Sequence, residues 1–285
     1  MTTADLLLGC HVSISGGYDR AVQKGEALGC TAIQIFTRNQ LRWESKPLSG
    51  RQITDFRHAL EGSGVRAVCA HGSYLPNLAS PDPETRKRSI ESVCEELGRC
   101  GSLGIPFLIV HPGSHMGEGE TAGVRRVVSA VNEAFERGPG FVKLLVETTA
   151  GQGTSVGYRF EHLRDIIAGV GTERAGACLD TCHVFAAGYD LTGNEYDNTL
   201  ERWDRVVGLS SLYVIHLNDS KGAVGSRVDR HQHIGEGAIG IEPFARFMRD
   251  DRLVRIAKIL ETPKKKGGSY MDRRNMEMLV KLSHR

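Results

Sequence analysis

Nine side chains of metal-ligating type recur at one kind of place in this sequence, at or just beyond the ends of short apolar runs. In chain order they are His71, His111, Glu147, Asp180 with His183 shortly after it, His216 and Glu261, and the long segment after His216 adds Asp229 and His231. Any one of them alone reads most simply as a hydrogen-bonded histidine or carboxylate; nine in the same kind of position do not. Four carboxylates brought together repel one another and raise each other's pKa unless cations compensate them. Imidazole and carboxylate without thiolate suit Zn²⁺ in a catalytic site, with Mn²⁺ or Fe²⁺ acceptable on ligand grounds. At about three protein ligands per ion, nine residues serve three ions, or fewer with some residues standing behind the ligands.

Residues so far apart in sequence converge only in a fold that gathers strand ends on one face. The chain alternates apolar, β-branched runs with longer helical patterns eight times. The runs predict strands over 6–13, 31–37, 67–71, 106–111, 143–148, 176–181, 212–218 and 255–262. Helical patterns occupy 18–28, 51–61, 83–103, 120–137, 160–170, 199–208, 242–250 and 270–284. Runs such as Phe107 to Val110 are continuously apolar rather than alternating, as expected of parallel strands covered on both faces. An open doubly wound sheet gives the same local pattern, but eight regular units in 285 residues favour closure, because an open sheet leaves two edges. The expected fold is α/β, a (βα)8 TIM barrel forming a single domain over residues 1–285.

With 40% hydrophobic and 25% charged residues and no apolar run near the roughly 20 residues of a membrane span, no membrane role is expected. Residues 1–10 lack the basic flank and apolar core of a signal peptide, which predicts a cytoplasmic protein. Seven cysteines without C-x-x-C spacing predict reduced, mostly buried thiols. The net charge of +2 is no argument for nucleic acid, so that case rests on placement. Arg38 and Arg42 follow the second strand, Lys221, Arg227 and Arg230 the seventh, and Lys264 to Lys266 the eighth, all on the same mouth. Gly235-Glu-Gly-Ala-Ile-Gly240 matches G-x-G-x-x-G but follows a polar loop rather than a strand, so no dinucleotide site is expected. Gly151-Gln-Gly153 reads as a loop whose backbone approaches the site closely. His58, His162 and His284 are expected on the surface, and His11, His115 and His233 near the mouth, orienting ligands or touching phosphate.

The spacing of His216-Leu-Asn-Asp-Ser-Lys221 with Gly225-Ser-Arg-Val-Asp229-Arg-His231 is the most specific segment. With His71-Gly-Ser-Tyr-Leu-Pro-Asn-Leu-Ala79, His111-Pro-Gly-Ser-His115, Glu147-Thr-Thr-Ala-Gly-Gln-Gly153 and Cys178-Leu-Asp-Thr-Cys-His183, it resembles endonuclease IV along essentially the full length. That is the family of zinc-dependent apurinic/apyrimidinic endonucleases. The resemblance implies three zinc ions: a first on His71, His111 and Glu147, a second on Glu147 as bridge with Asp180, His216 and Glu261, and a third on His183, Asp229 and His231. It implies hydrolysis of the phosphodiester 5′ to an abasic site in double-stranded DNA, with Glu147 fixing the position of the attacking hydroxide. Tyr74 and Leu75 then enter the base stack, and Arg38, Leu41, Arg42, Lys221, Arg227 and Arg230 contact DNA, in a monomer with no obligate protein partner. Pro76, Ala177 and Gly72 depart from the family pattern, and none of them is a ligand. Leu41 stands where well-known members place an arginine in the DNA, leaving Arg42 as substitute or Leu41 as an apolar wedge. Two readings compete: a metal-dependent sugar isomerase or epimerase on the same barrel, and a lesion binder without turnover.

Overall fold

The barrel strands are β1 (Leu8–His11), β2 (Ala32–Phe36), β3 (Ala67–His71), β4 (Phe107–Val110), β5 (Lys143–Glu147), β6 (Ala175–Asp180), β7 (Leu212–His216) and β10 (Ala257–Leu260). In this computed structural model, which describes residues 6–138 and 141–284, they close in the order β1-β10-β7-β6-β5-β4-β3-β2, every pair parallel. Two short antiparallel ribbons lie in the loops after β7 and β10: β8 (Asp219–Ser220) with β9 (His231–Gln232), and β11 (Lys265–Lys266) with β12 (Ser269–Tyr270). The TIM barrel expected from the sequence is the fold. Residues 1–5, on which half of the N-terminal reading rests, lie outside the described residues, as do 139, 140 and 285. No helix is long and apolar enough to cross a membrane among the described residues.

The helices are α1 (Tyr18–Ala27), α2 (Gly50–Glu61), α3 (Pro83–Leu103), α4 (Glu120–Arg137), α5 (Phe160–Val170), α6 (Thr181–Ala187), α7 (Glu195–Val206), α8 (Ile241–Arg249) and α9 (Asp272–Ser283). Their ends follow local chemistry. Asp82 caps α3 through Thr85 N–H with Pro83 in the first turn, Gly104 closes it at φ 80°, and Ser49 and Gln52 form a capping box on α2. One helix was not expected. α6 starts directly at the end of β6 with no loop between, Asp180 serving as N-cap by accepting from His183 N–H at 2.9 Å. α7 begins at Glu195 rather than 199.

Two apolar layers hold the strands. Outside, the strands pack against the helices in one large cluster. Inside the barrel, Ala32, Cys69, Ile109, Leu145, Cys178, Val214, Ala257 and Ile259 pack against one another, the stacked interior layers of this architecture. Side chains along a strand alternate, so the residue two further on points the same way. Two beyond Cys69, Ile109, Leu145, Cys178, Val214 and Ile259 stand His71, His111, Glu147, Asp180, His216 and Glu261. The polar cluster is therefore the top interior layer of the barrel. A register shift between Ala177 and Cys178 sets Asp180 level with His216, the use of a bulge beside a functional site.

The thiols are free as expected, and all but Cys94 are buried. Lys258 points the other way from Ile259 and is 1% exposed, donating to the carbonyls of Leu253 (2.6 Å) and Ile256 (3.3 Å). Burial pushes its pKa down to about 8. The unfolded chain thus binds more protons than the folded one between about pH 8 and 10.5, and stability rises with pH across that window. Lys258→Met is expected to stabilise the fold at pH 7 by on the order of 1–3 kcal/mol, with the gain shrinking toward pH 10. Denaturant melts at both pH values check this, and a pH-independent difference would refute it.

Candidate metal centre

Glu147 is the hub. Its carboxylate is fully buried and faces four imidazoles: Oε2 lies 3.0 Å from His71 Nε2 and 3.5 Å from His111 Nε2, Oε1 3.0 Å from His216 Nδ1 and 3.3 Å from His183 Nδ1. The strand-end residues resolve into groups whose ligand atoms lie within 4.8 Å of one another: His71, His111 and Glu147; Glu147, Asp180, His216 and Glu261; and His183, Asp229 and His231. A fourth combination, Asp180, Cys182 and His231, overlaps them. All nine candidate ligands come together.

Hydrogen bonds behind the ligands fix which ring nitrogen faces the centre. His71 Nδ1 donates to the Gly72 carbonyl (2.8 Å) and His183 Nδ1 to the Thr148 carbonyl (2.8 Å), which turns both Nε2 lone pairs inward. His216 is reversed. Gln34 Nε2 donates to Glu261 Oε1 (2.6 Å), so its Oε1 is the end that accepts from His216 Nε2 (2.7 Å). That leaves His216 Nδ1 between Glu147 Oε1 and Glu261 Oε2, at 3.0 and 3.1 Å. Three acceptors facing one point with no donor among them fit a cation. Asn218 Nδ2 donates to Asp180 Oδ2 (2.6 Å) and Asn218 Oδ1 accepts from Glu261 N–H (2.9 Å). The charges agree. Burial opposes ionisation of Glu147, yet the surrounding imidazoles hold its pKa well below the carboxylate range. Burial likewise opposes a charged His183, yet Asp180, Asp229 and Glu147 lift it well above an ordinary histidine. The cluster draws positive charge, and its donor set of imidazole and carboxylate is that of a divalent metal site.

Gln34 was absent from the sequence expectation, although it stands two residues after the interior Ala32, in the same layer as the ligands. His11 completes the layer from β1: it accepts from Gln34 Nε2 (3.0 Å), and burial keeps it neutral with a pKa pushed down to about 3. Gln34→Leu leaves His216 Nε2–H and Glu261 Oε1 unpaired. It is expected to weaken metal binding by about 10–100-fold with the fold retained. Competition against a chromogenic chelator reads this, and unchanged affinity would show that Gln34 orients nothing.

The loop after β7 delivers the third group. Asp219 receives N–H donors from Gly235 (3.0 Å), Gly237 (2.9 Å) and Ile239 (3.0 Å), and β8 pairs Ser220 with His231. The glycine-rich stretch is thus a cradle for the protein's own carboxylate, and a Cβ at Gly237 would sit 2.4 Å from the Ser220 carbonyl. Arg227, at φ 54°, lays its guanidinium 5.0 Å over the Tyr158 ring, and Asp229 remains 45% exposed. Gly151, at φ 77°, lies against Tyr158, where a Cβ would sit 3.0 Å from Cγ in a backbone conformation that L side chains rarely adopt.

A cavity of about 310 Å³ opens beside the centre, lined by His111, His183, Asp229, Tyr74, Asn77 and Gln152 among others. Leu41, Tyr74, Arg42, Lys221, Arg227 and Arg230 are exposed around the mouth, and Leu75 is half-buried. Four expectations change. Arg38 is turned inward, 3% exposed and bound to Glu95 at 2.5 Å, because two acidic residues of α3 lie under the β2 loop. The lysine run is committed locally: Lys264 to Asp272, Lys266 to Glu236, and Lys265 over the Tyr270 ring. His162 is buried rather than on the surface, its Nδ1 accepting from Gly157 N–H (3.1 Å) and its Nε2 facing Glu120 (3.2 Å). His58 and His284 are exposed as expected. His233, the fourth, is buried against Asn275 and orients none of the nine candidates. His115 Nδ1 accepts from Gly117 and Gly119 N–H in the loop after β4.

Residues 22–282 match the family described as xylose isomerase-like TIM barrel. A probable endonuclease 4 of Chloroflexus aurantiacus is 46% identical over 279 residues, covering 96% of this chain and 97% of the relative. The crystal structure of endonuclease IV from Thermus thermophilus superposes with a TM-score of 0.86 at 37% identity, covering 96% and 98% of the two chains. D-psicose 3-epimerase from Clostridium cellulolyticum, at 17% identity and a TM-score of 0.65 over 96% and 95%, shares the fold alone. On the sequence and structural likeness along its whole length, the chain belongs to the endonuclease IV family within the xylose isomerase-like TIM barrels.

Proposed function

We propose that the chain is a DNA-repair endonuclease that hydrolyses the phosphodiester 5′ to abasic sites in double-stranded DNA, leaving 3′-hydroxyl and 5′-deoxyribose-phosphate ends, with three zinc ions and as a cytoplasmic monomer. The observation that carries this reading is the sharing of Glu147 between two ligand groups, with a third group within reach of Glu147 through His183 and a cavity at their edge. Bound cations would supply Lewis-acid stabilisation of the phosphate oxygens, activation of water and stabilisation of the departing oxygen. His71, His111 and Glu147 would hold the first ion, Glu147, Asp180, His216 and Glu261 the second, and His183, Asp229 and His231 the third. Glu147, buried and gripped from four sides, fixes the separation of the first two groups. Asp229, on the cavity wall, faces the solvent side from which a phosphate arrives.

An abasic nucleotide lacks the stacking that holds a base in the duplex, so extruding it toward the cavity costs less than flipping an intact one. Tyr74 and Leu75 line that cavity and stand at its rim, where an inserted ring and alkyl chain kink a duplex. Exposed Arg42, Lys221, Arg227 and Arg230 supply phosphate contacts on a chain of nearly neutral charge, so binding weakens as salt rises. The epimerase alternative is supported by fold alone. Incubation with an end-labelled duplex carrying one abasic site tests the reading: a single nick on the 5′ side, with intact duplex uncut, is expected. Metal-dependent epimerisation of a ketose without nicking would overturn it.

A further inference from the structure

The loops after β2 and β3 end in two exposed apolar tips, Leu41 at 67% and Tyr74 at 57% exposure, and they share a base. Ser73 Oγ donates to the Gln40 carbonyl (2.8 Å) and accepts from Leu75 N–H (3.4 Å). One hydroxyl therefore joins the residue before Leu41 to the turn that has Tyr74 at its apex. Ser73 N–H donates to Glu96 Oε1 on α3 (3.1 Å). From the other loop Arg38 donates to the Arg42 carbonyl (3.0 Å), Ser92 Oγ (3.2 Å) and Glu95, and its Nε lies 3.7 Å from Glu96 Oε1.

The Arg38 and Glu96 side chains are both 1% exposed. Burying such a pair costs desolvation that its mutual attraction offsets only in part, so an apolar pair would serve stability as well or better. What the pair does instead is pin both loops to one helix. Neither tip joins the main core; the Tyr74 ring rests against Phe36 (5.6 Å) and His71 (5.7 Å), and the tie between the two tips themselves is this base.

We propose that Ser73 is a positioning residue that couples Leu41 and Tyr74 into one two-pronged element seated on α3, entering the duplex at the lesion as a unit. The proposal rests on the DNA reading of the site. Loops that move independently contribute independently, whereas groups sharing a backbone tie do not. A preset separation also removes the ordering cost of the second insertion once the first has occurred.

The test is a double-mutant cycle in kcat/KM on an abasic duplex, with Leu41→Ala, Tyr74→Ala and both together, measured in the intact chain and again with Ser73→Ala. With Ser73 present, the double variant is expected to lose at least about 5-fold less than the product of the single losses. With Ser73→Ala the losses multiply. Ser73→Ala alone raises KM several-fold with kcat within about twofold of wild type, metal content and melting temperature unchanged, and Ser73→Thr, which keeps the hydroxyl, restores KM. Multiplicative losses in both backgrounds, or a Ser73→Ala variant that lowers kcat at unchanged KM, overturn the proposal while the nicking activity stands. A wild-type chain that leaves the abasic duplex uncut overturns the DNA reading and the proposal with it.

Discussion

Glu147→Gln is expected to lower kcat on an abasic duplex by about 10³-fold or more, which is roughly 4 kcal/mol of transition-state stabilisation, while the dissociation constant for the same duplex changes little. The substitution preserves shape and removes one of the four carboxylate charges of the cluster. A carboxamide cannot serve two groups at once, so the separation between the His71–His111 side and the Asp180–His216–Glu261 side is no longer held. The residues proposed to contact DNA, Arg42, Lys221, Arg227 and Arg230 and the Leu41 and Tyr74 tips, lie on the rim and are untouched by the substitution, so binding and cleavage are expected to separate. Single-turnover kinetics beside a binding isotherm in chelator-treated buffer measure the two. A variant that retains turnover within tenfold of wild type, with about 10-fold being the effect of an ordinary hydrogen bond, would remove Glu147 from its place at the hub.

Stripping the metal has the second large effect, and it reaches stability as well as activity. Asp180, Glu147 and His216 are fully buried in one layer, and Glu261 is 14% exposed. Without cations their charges are offset by protons on the neighbouring imidazoles and by the Gln34 and Asn218 amide donors. A ligand present at about 1,000 times its dissociation constant stabilises the folded state by about 4 kcal/mol per site. For a chain of this size each kcal/mol moves the melting temperature by roughly 2–4 °C. Dialysis against a strong chelator is therefore expected to abolish nicking and lower the melting temperature by about 10 °C or more, and one equivalent of Zn²⁺ per group restores both. Stripped protein, verified free of metal by mass spectrometry, that melts and cuts as before would show the cluster to be structural polarity only.

The barrel and the ligands were legible in the sequence for one physical reason. Apolar strands buried on both faces leave few places for polar residues, so a His, Asp or Glu at the end of each of the later strands stands out. Gln34 was missed because an amide is not a ligand type and because it interrupts β2 before its end, although its two-residue step from Ala32 places it in the ligand layer. α6 was missed because Asp180 ends a strand and caps a helix at once, leaving no turn signal between. Arg38 was placed on the DNA face because a basic residue after a barrel strand is outward by default. Only the tertiary position of Glu95 and Glu96 on α3 turns it in. A helical pattern alone puts His162 on the surface; its burial is tertiary, with Gly157 N–H on Nδ1, Glu120 of α4 facing Nε2 and the Tyr158 ring beside it.

Residues 219–239 are closed at both levels: the Asp219 carboxylate clasps the far end at Gly235, Gly237 and Ile239, β8 pairs with β9 across the middle, and Gly225 and Arg227 N–H groups anchor the tip to the Phe185 and Ala186 carbonyls of α6. The chain entropy of bringing Asp229 and His231 to His183 is thereby met partly within the loop and partly by α6. Asp219, whose carboxylate is taken up by the loop's own N–H groups, is therefore the residue on which the closure of this loop depends.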